Sequence, residues 1–270
     1  MGGIASSREA RVPQLWYNFY VPHTAHGKES TMLKNKKLLL VLTSVLLAAL
    51  VLTGCSRPDA DGKASTASGP DSVIDYLVLV NKENPLPDGW EEALDITKFT
   101  NSVGDEVQVE STAYQAYLKL KADVEKELEK DNVTLELDSA YRSVAAQQKI
   151  VDDFTVKYGE EYVKQYVAVP GFSEHHTGLA LDLYFRIGDR DIYENEDLVQ
   201  YPDIWAAIHE KLADYGFILR YPEGKEDVTG YSYEPWHIRY VDDPDIAKEI
   251  TDEGITLEEY LDEFAAEEAA

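Results

Sequence analysis

The sequence predicts an α+β fold: a single compact domain with a half-buried, mostly antiparallel central sheet and flanking helices. Three observations predict it. Strand-like and helix-like stretches mix without regular βαβ alternation, so a doubly wound parallel sheet is not indicated. The chain contains no internal repeat. About 190 residues follow the N-terminal segments, enough for one sizeable core and too few for two lobes.

The elements follow in order. From Met32 the chain reads MLKNKKLLLVLTSVLLAALVLTGCS, with Lys34, Lys36 and Lys37 ahead of an apolar run from Leu38 to Val51. That is the layout of an export signal. A run of ~14 residues falls short of the ~20 that span a bilayer, which ranks a transmembrane anchor second. The signal ends in Leu52-Thr53-Gly54-Cys55 and so resembles the lipobox of bacterial lipoproteins, which implies that Cys55 is lipidated and becomes the mature N-terminus. Residues 1–31 read as an upstream extension absent from the mature protein, 32–54 as the signal peptide, and 55–72, rich in Ser, Gly, Ala, Asp and Pro, as a flexible tether. Cys55 is the only cysteine, so the exported domain holds together without disulfides.

The folded domain is expected over 73–265. VIDYLVLV (73–80) reads as a strand and NKENPLPDGW as a turn-rich loop. Residues 111–129 have apolar spacing at helical period. VTLELDSAY (133–141) is β-like, and Ser143 is placed to cap a helix over 144–158. LALDLYF (179–185) reads as a strand. A helix over 202–216 starts at Asp203 and stops at Gly216. FILRYP and WHIRYV read as strands, and the acidic stretch 242–264 as helical.

Charge narrows the partners. The chain has 25 basic and 51 acidic residues, a formal net charge of −26. Residues 1–54 contain six of the basic and two of the acidic ones, leaving 19 against 49, or −30, for the rest. So acidic a chain repels phosphate backbones, which argues against nucleic acid.

The chemistry-bearing residues fall in three places. In PGFSEHHTGLALDLYF (170–185), Asp182 interrupts a strand of Leu179, Leu181, Leu183 and Phe185. A buried aspartate costs several kcal/mol unless it is paired or metal-bound. Along this strand Ala180, Asp182 and Tyr184 share one face and Leu181, Leu183 and Phe185 face the core. His175 and Asp182 converge if the chain turns at Thr177-Gly178. In YEPWHIRYV, Glu234 and His237 are separated by Pro235, which forces a bend and lets both face one cavity. Two imidazoles, one carboxylate and a nearby glutamate suit a zinc site with an open fourth position and a general base. The third place is SAYRSVAAQ, with Arg142 at a strand-to-helix junction and Gln147 in the helix's first turns. His209 reads as a surface residue of its helix. Taken singly, each histidine is an ordinary hydrogen-bonded residue and Arg142 a surface ion pair; their joint pattern weighs against that.

Together these segments resemble the zinc D-Ala-D-Ala carboxypeptidases of the VanY type (peptidase family M15B, which includes LdcB-like L,D-carboxypeptidases). The pattern S-x-H-x-x-G-x-A-x-D is met by Ser173, His175, Gly178, Ala180 and Asp182; E-x-W-H by Glu234, Trp236 and His237; and Y-R-S-x-x-x-Q by Tyr141, Arg142, Ser143 and Gln147. The resemblance runs over about residues 76–241. It implies a zinc ion on His175, Asp182 and His237, and Glu234 as the base that takes a proton from the attacking water. Arg142 would hold the substrate's terminal carboxylate or stabilise the oxyanion, and Ser173 and Gln147 would contact the substrate. His176 is not a ligand in this pattern and reads as a residue behind the site or an exposed one. A lipid-tethered domain outside the membrane meets peptidoglycan stem peptides, so the expected activity is removal of their C-terminal D-Ala, by D,D- or L,D-cleavage, by a monomer. The competing readings are a catalytically silent zinc-containing wall-binding lipoprotein, a peptidoglycan endopeptidase, and a solute-binding lipoprotein, which would need two lobes.

Overall fold

The computed structural model describes residues 74–268. The export signal, Cys55, the tether and Val73 lie outside the described residues.

The segment 74–80 is not a strand, contrary to expectation. Its residues alternate between two apolar surroundings: Val78 and Val80 enter the main core, while Leu77 and Leu79 pack on a second cluster. Its carbonyls turn to a side chain rather than a neighbouring strand, since Arg239 donates to Tyr76 O (2.9 Å) and Val78 O (2.8 Å). Alternating apolar residues therefore look like a strand here without pairing as one.

A short helix α1 (Trp90–Ala93) precedes a hairpin, β1 (Ile96–Thr100) and β2 (Glu106–Glu110), that the sequence reading did not include. Helix α2 (Ser111–Glu127) buries Ala113, Ala116, Tyr117, Leu120 and Val124, the helical stripe expected. Strand β3 (Val133–Ser139) leads into α3 (Val144–Tyr158), where Ser143 Oγ accepts from Ala146 N at 3.1 Å. The short helix α4 (Glu160–Tyr166) and a 3₁₀ turn, Glu174–Thr177, precede β4 (Ala180–Ile187). Then come β5 (Arg190–Ile192), α5 (Asn195–Leu198), α6 (Pro202–Leu212), β6 (Phe217–Leu219), α7 (Glu226–Thr229), β7 (His237–Tyr240), α8 (Pro244–Glu253) and α9 (Leu257–Glu268). Helix α6 starts at Pro202, with Asp203 inside its first turn rather than starting it and no side-chain cap from Tyr201, and a 3₁₀ turn carries it to Gly216. The acidic C-terminal stretch is two helices, broken at Gly254.

The main sheet runs β3-β4-β7-β6, with β5 on β4, and every pairing is antiparallel. The sheet is more enclosed than a half-buried one. Ala180 to Phe185 of β4 and all of β7 are buried, and Tyr184, on the face assigned to the site, belongs to the core and hydrogen-bonds Ser102 Oγ at 2.7 Å. Helices α8 and α9 cover β6 through Ala247, Ile250, Leu257 and Tyr260.

Candidate metal centre and active site

Sheet register brings two of the three ligand candidates together. Asp182 of β4 lies directly opposite His237 of β7, and opposite residues of an antiparallel pair project to the same face. His237 Nδ1 stands 3.0 Å from Asp182 Oδ1. His175 arrives from the 3₁₀ turn before β4, which ends at Gly178 in the left-handed region (φ 72°). A side chain there would be strained and would also crowd Glu110 Cβ at 3.3 Å. The turn re-aims His175 so that its Nε2 lies 3.1 Å from Asp182 Oδ2. One donor atom from each of the three residues falls within 4.8 Å of the others, and all three residues are buried.

The far nitrogen of each imidazole is engaged. His175 Nδ1 is 2.7 Å from Ala140 O and His237 Nε2 is 3.0 Å from Glu174 Oε2. A carbonyl and a carboxylate only accept, so each of these far nitrogens carries a proton. That leaves His175 Nε2 and His237 Nδ1, both turned toward Asp182, as the nitrogens whose lone pairs a metal would take once it displaces the proton His237 shares with Asp182. That is the orientation a metal-ligating histidine needs. Two imidazoles and a carboxylate, buried and oriented from behind, fit a borderline-soft divalent ion of the zinc type with an open position.

The electrostatics keep Asp182 anionic and place on His237 the proton that a metal would displace. Burial raises the Asp182 carboxyl, but His175 and His237 outweigh it and hold Asp182 well below the usual carboxylate range. Burial pulls the His237 imidazole down, yet its hydrogen bonds to Asp182 and Glu174 raise it to about 10. Glu234 is 3.8 Å from His237 Nδ1, placed by its own N–H on Tyr221 O (3.2 Å) and by the turn closed by His237 N on Glu234 O (3.2 Å). Burial, joined by the charges of Asp182 and Glu174, pushes the Glu234 carboxyl up to about 8 against the pull of His237 and Lys82. A carboxylate that holds a proton near neutrality is suited to proton transfer.

His175, Ser173, Glu234 and His237 line one cavity of about 440 Å³, together with Lys82, Tyr221, Tyr231 and the loop Val167–Val169. Arg142 is buried beside the triad; its N–H donates to His175 O (3.0 Å) and its guanidinium to Gln147 Oε1 (2.9 Å). Gln147 in turn donates to Ala168 O (2.8 Å), so its amide braces Arg142 and the cavity loop.

His176 takes the first of its two readings, a residue behind the site: fully buried, it accepts from Gly171 N at Nε2 (3.1 Å) and donates from Nδ1 to Arg142 O (2.6 Å), tying the cavity loop to the Arg142 junction. His209 differs from its reading. His209 is not a free surface residue. It is half-buried, stacks on Trp205 and donates to Pro235 O (2.9 Å), clamping the bend that presents Glu234.

Glu174 was missed. Fully buried, it receives His237 Nε2, Arg220 Nε (2.7 Å) and Arg239 Nη1 (2.8 Å). The sequence held a signal for it. Arg220 directly follows the apolar strand β6 and Arg239 interrupts β7, and two buried guanidiniums require a buried carboxylate.

Residues 106–243, just over half of the chain, match the family model described as VanY: D-alanyl-D-alanine carboxypeptidase. The chain belongs to this family. Among relatives, the bifunctional D-Ala-D-Ala dipeptidase and D-Ala-D-Ala carboxypeptidase VanXYC of Enterococcus gallinarum is 37% identical over 197 residues, 71% of this chain and 96% of that protein. Among solved structures, the LdcB LD-carboxypeptidase superposes with a TM-score of 0.58 at 34% identity, covering 69% of this chain and 86% of that one. A variant of the vancomycin-resistance D,D-pentapeptidase VanY, in complex with Zn(II), superposes with a TM-score of 0.53 at 31% identity, covering 69% and 98%. As a VanY-family member the chain is an enzyme, a carboxypeptidase. Its mixed fold with an antiparallel sheet is that of its solved neighbours.

Proposed function

We propose that the chain is a zinc-dependent carboxypeptidase that removes the C-terminal D-Ala of peptidoglycan stem peptides. The observation that carries this is the paired orientation of the imidazoles: each is held from behind by its far nitrogen, so that His175 Nε2 and His237 Nδ1 converge on Asp182, with Glu234 beside them. His175 Nε2, His237 Nδ1 and Asp182 would hold the ion. When bound, zinc polarises the scissile carbonyl and brings the pKa of a water to ~7. Glu234 takes a proton from the attacking water as the new C–O bond forms, and delivers it to the leaving D-Ala nitrogen as the C–N bond breaks. Arg142 meets the terminal carboxylate or the developing oxyanion, held in place by Gln147. Ser173 offers its hydroxyl from the cavity wall.

The substrate reading draws on the D-Ala-D-Ala and L,D names of the relatives and on the export signal. In this reading Cys55 carries the lipid that keeps a monomeric enzyme on the outer face of the membrane. D-Ala release from a synthetic pentapeptide ending in L-Lys-D-Ala-D-Ala, and from the matching tetrapeptide, assigns D,D- or L,D-specificity. Release from neither, by protein carrying stoichiometric zinc, overturns the carboxypeptidase reading in favour of a wall-binding lipoprotein. Cys55→Ser protein is expected in the soluble fraction and unlipidated; its retention on membranes like wild type overturns the lipid anchor.

A further inference from the structure

We propose that Glu258, in the C-terminal helix α9, is a positioning residue for the metal centre, acting on His237 through Arg220 and Glu174; the proposal rests on the zinc reading above. The contacts form an unbroken buried line. His237 Nε2 donates to Glu174 Oε2 at 3.0 Å, and Glu174 Oε1 accepts from Arg220 Nε at 2.7 Å. Both terminal nitrogens of Arg220 go to Glu258, Nη1 to Oε2 at 2.8 Å and Nη2 to Oε1 at 2.6 Å. The Arg220 and Glu174 side chains are 0% and 1% exposed, and Glu258 is 12% exposed. Arg239, the second guanidinium on Glu174, spends its remaining nitrogens on Tyr76, Val78 and Tyr240 carbonyls. Two arginines thus face two glutamates, and Glu258 is the carboxylate that balances the pair. It lies outside residues 106–243, the span of the family match.

The direction of the effect follows from charge sharing. Glu174 serves two cations and the His237 N–H at once. With Glu258 bound in a bidentate fork, part of the Arg220 charge is met from the far side. Without that charge Arg220 draws more strongly on Glu174, which becomes a poorer acceptor for His237 Nε2–H. The imidazole is then less firmly oriented and Nδ1 a weaker donor to a metal, as when any group behind a ligand is lost. Glu258 also accepts from Asn81 (3.1 Å), whose side chain shapes the turn next to Lys82 of the cavity wall.

A neighbour on the same helix separates this role from mere docking. Glu259 pairs with Lys225 Nζ (2.9 Å to each oxygen) and caps Thr256 N, anchoring α9 without touching the buried line. The test measures zinc affinity by competition with a chromogenic chelator, alongside melting temperature, for wild type, Glu258→Gln, Glu258→Asp and Glu259→Gln. Glu258→Gln is expected to weaken zinc several-fold, below the ~10- to 100-fold typical of a group bonded directly to a ligand. Glu259→Gln is expected to lower the melting temperature and leave zinc affinity at the wild-type value. If Glu258→Gln does not fold, Glu258→Asp carries the test; it keeps the charge but shortens the fork, and a smaller loss of affinity is expected. Wild-type zinc affinity in the folded Glu258 variants overturns the positioning role alone. A wild-type protein that takes up no zinc overturns the zinc reading and this role with it.

Discussion

Glu174 supports the site from behind, and its substitution separates stability from chemistry. Glu174→Ala leaves Arg220 and Arg239 buried without their shared counter-charge, a loss of about 3–5 kcal/mol. At about 2–4 °C per kcal/mol for a domain of this size, thermal unfolding followed by circular dichroism is expected to shift down by roughly 10 °C. A shift within a degree or two of wild type would show that the two arginines find other partners. His176→Ala is expected to keep its metal while losing about 2 kcal/mol, because two buried hydrogen bonds go with it; loss of zinc would mean the ligand histidine had been misassigned. At this scale the sequence was legible where residue type alone carries the chemistry. A carboxylate inside an apolar strand, with histidines flanking glycine and proline bends, points to Asp182, His175 and His237. The residues behind them were less legible: Arg220 and Arg239 signal that some carboxylate is buried with them, but not which one. Nothing local marks Glu174 as different from fifty other acidic residues, or His209 as a clamp on Pro235; both roles exist only once distant strands and helices meet.

Between elements, the β4–β7 register decides whether the site forms, since a slip of one residue turns His237 away from Asp182. On its other side β7 pairs with β6, whose start is set by Gly216, which closes the α6 turn at φ 73° and accepts from Val241 N at 2.8 Å. A Cβ there would meet Asp242 O at 2.5 Å. Gly216→Ala combines a left-handed backbone with a clash against main chain, so a loss of more than about 2 kcal/mol is expected in urea unfolding; a change below 0.5 kcal/mol would mean the β6–β7 connection is not held as described. Helices with a clear stripe, such as α2, or a clear cap, such as α3, could be read from the sequence. The segment 74–80 could not, because its alternation serves two separate apolar clusters and its carbonyls belong to Arg239. The β1–β2 hairpin was only half hidden: β1 has no fully buried residue, whereas β2 alternates with Val107 and Val109 buried, a signal that the sequence reading left unused.

For the whole molecule, protons and metal compete for one site. Asp182 and Glu174 raise His237 to about 10, so chelator-treated protein keeps its proton there across the neutral range. The sign is then fixed. The proton's contribution to stability is complete below the unfolded value of ~6.5 and is lost as pH rises toward 10, whereas zinc uptake must expel the proton and so strengthens with pH. Apparent zinc affinity is expected to rise about tenfold per pH unit between 6 and 9, with about one proton released per ion; a flat profile would contradict the pairing of His237 with both carboxylates. The central claim is that Glu234 serves the reaction and the His175–Asp182–His237 set serves the metal. Its most direct test is Glu234→Gln, assayed for bound zinc and for D-Ala release from the better of the two stem peptides. One zinc per molecule is expected, as in wild type, with a kcat lower by ~10²- to 10⁴-fold and little change in KM. Turnover near the wild-type rate in the zinc-loaded variant would contradict it.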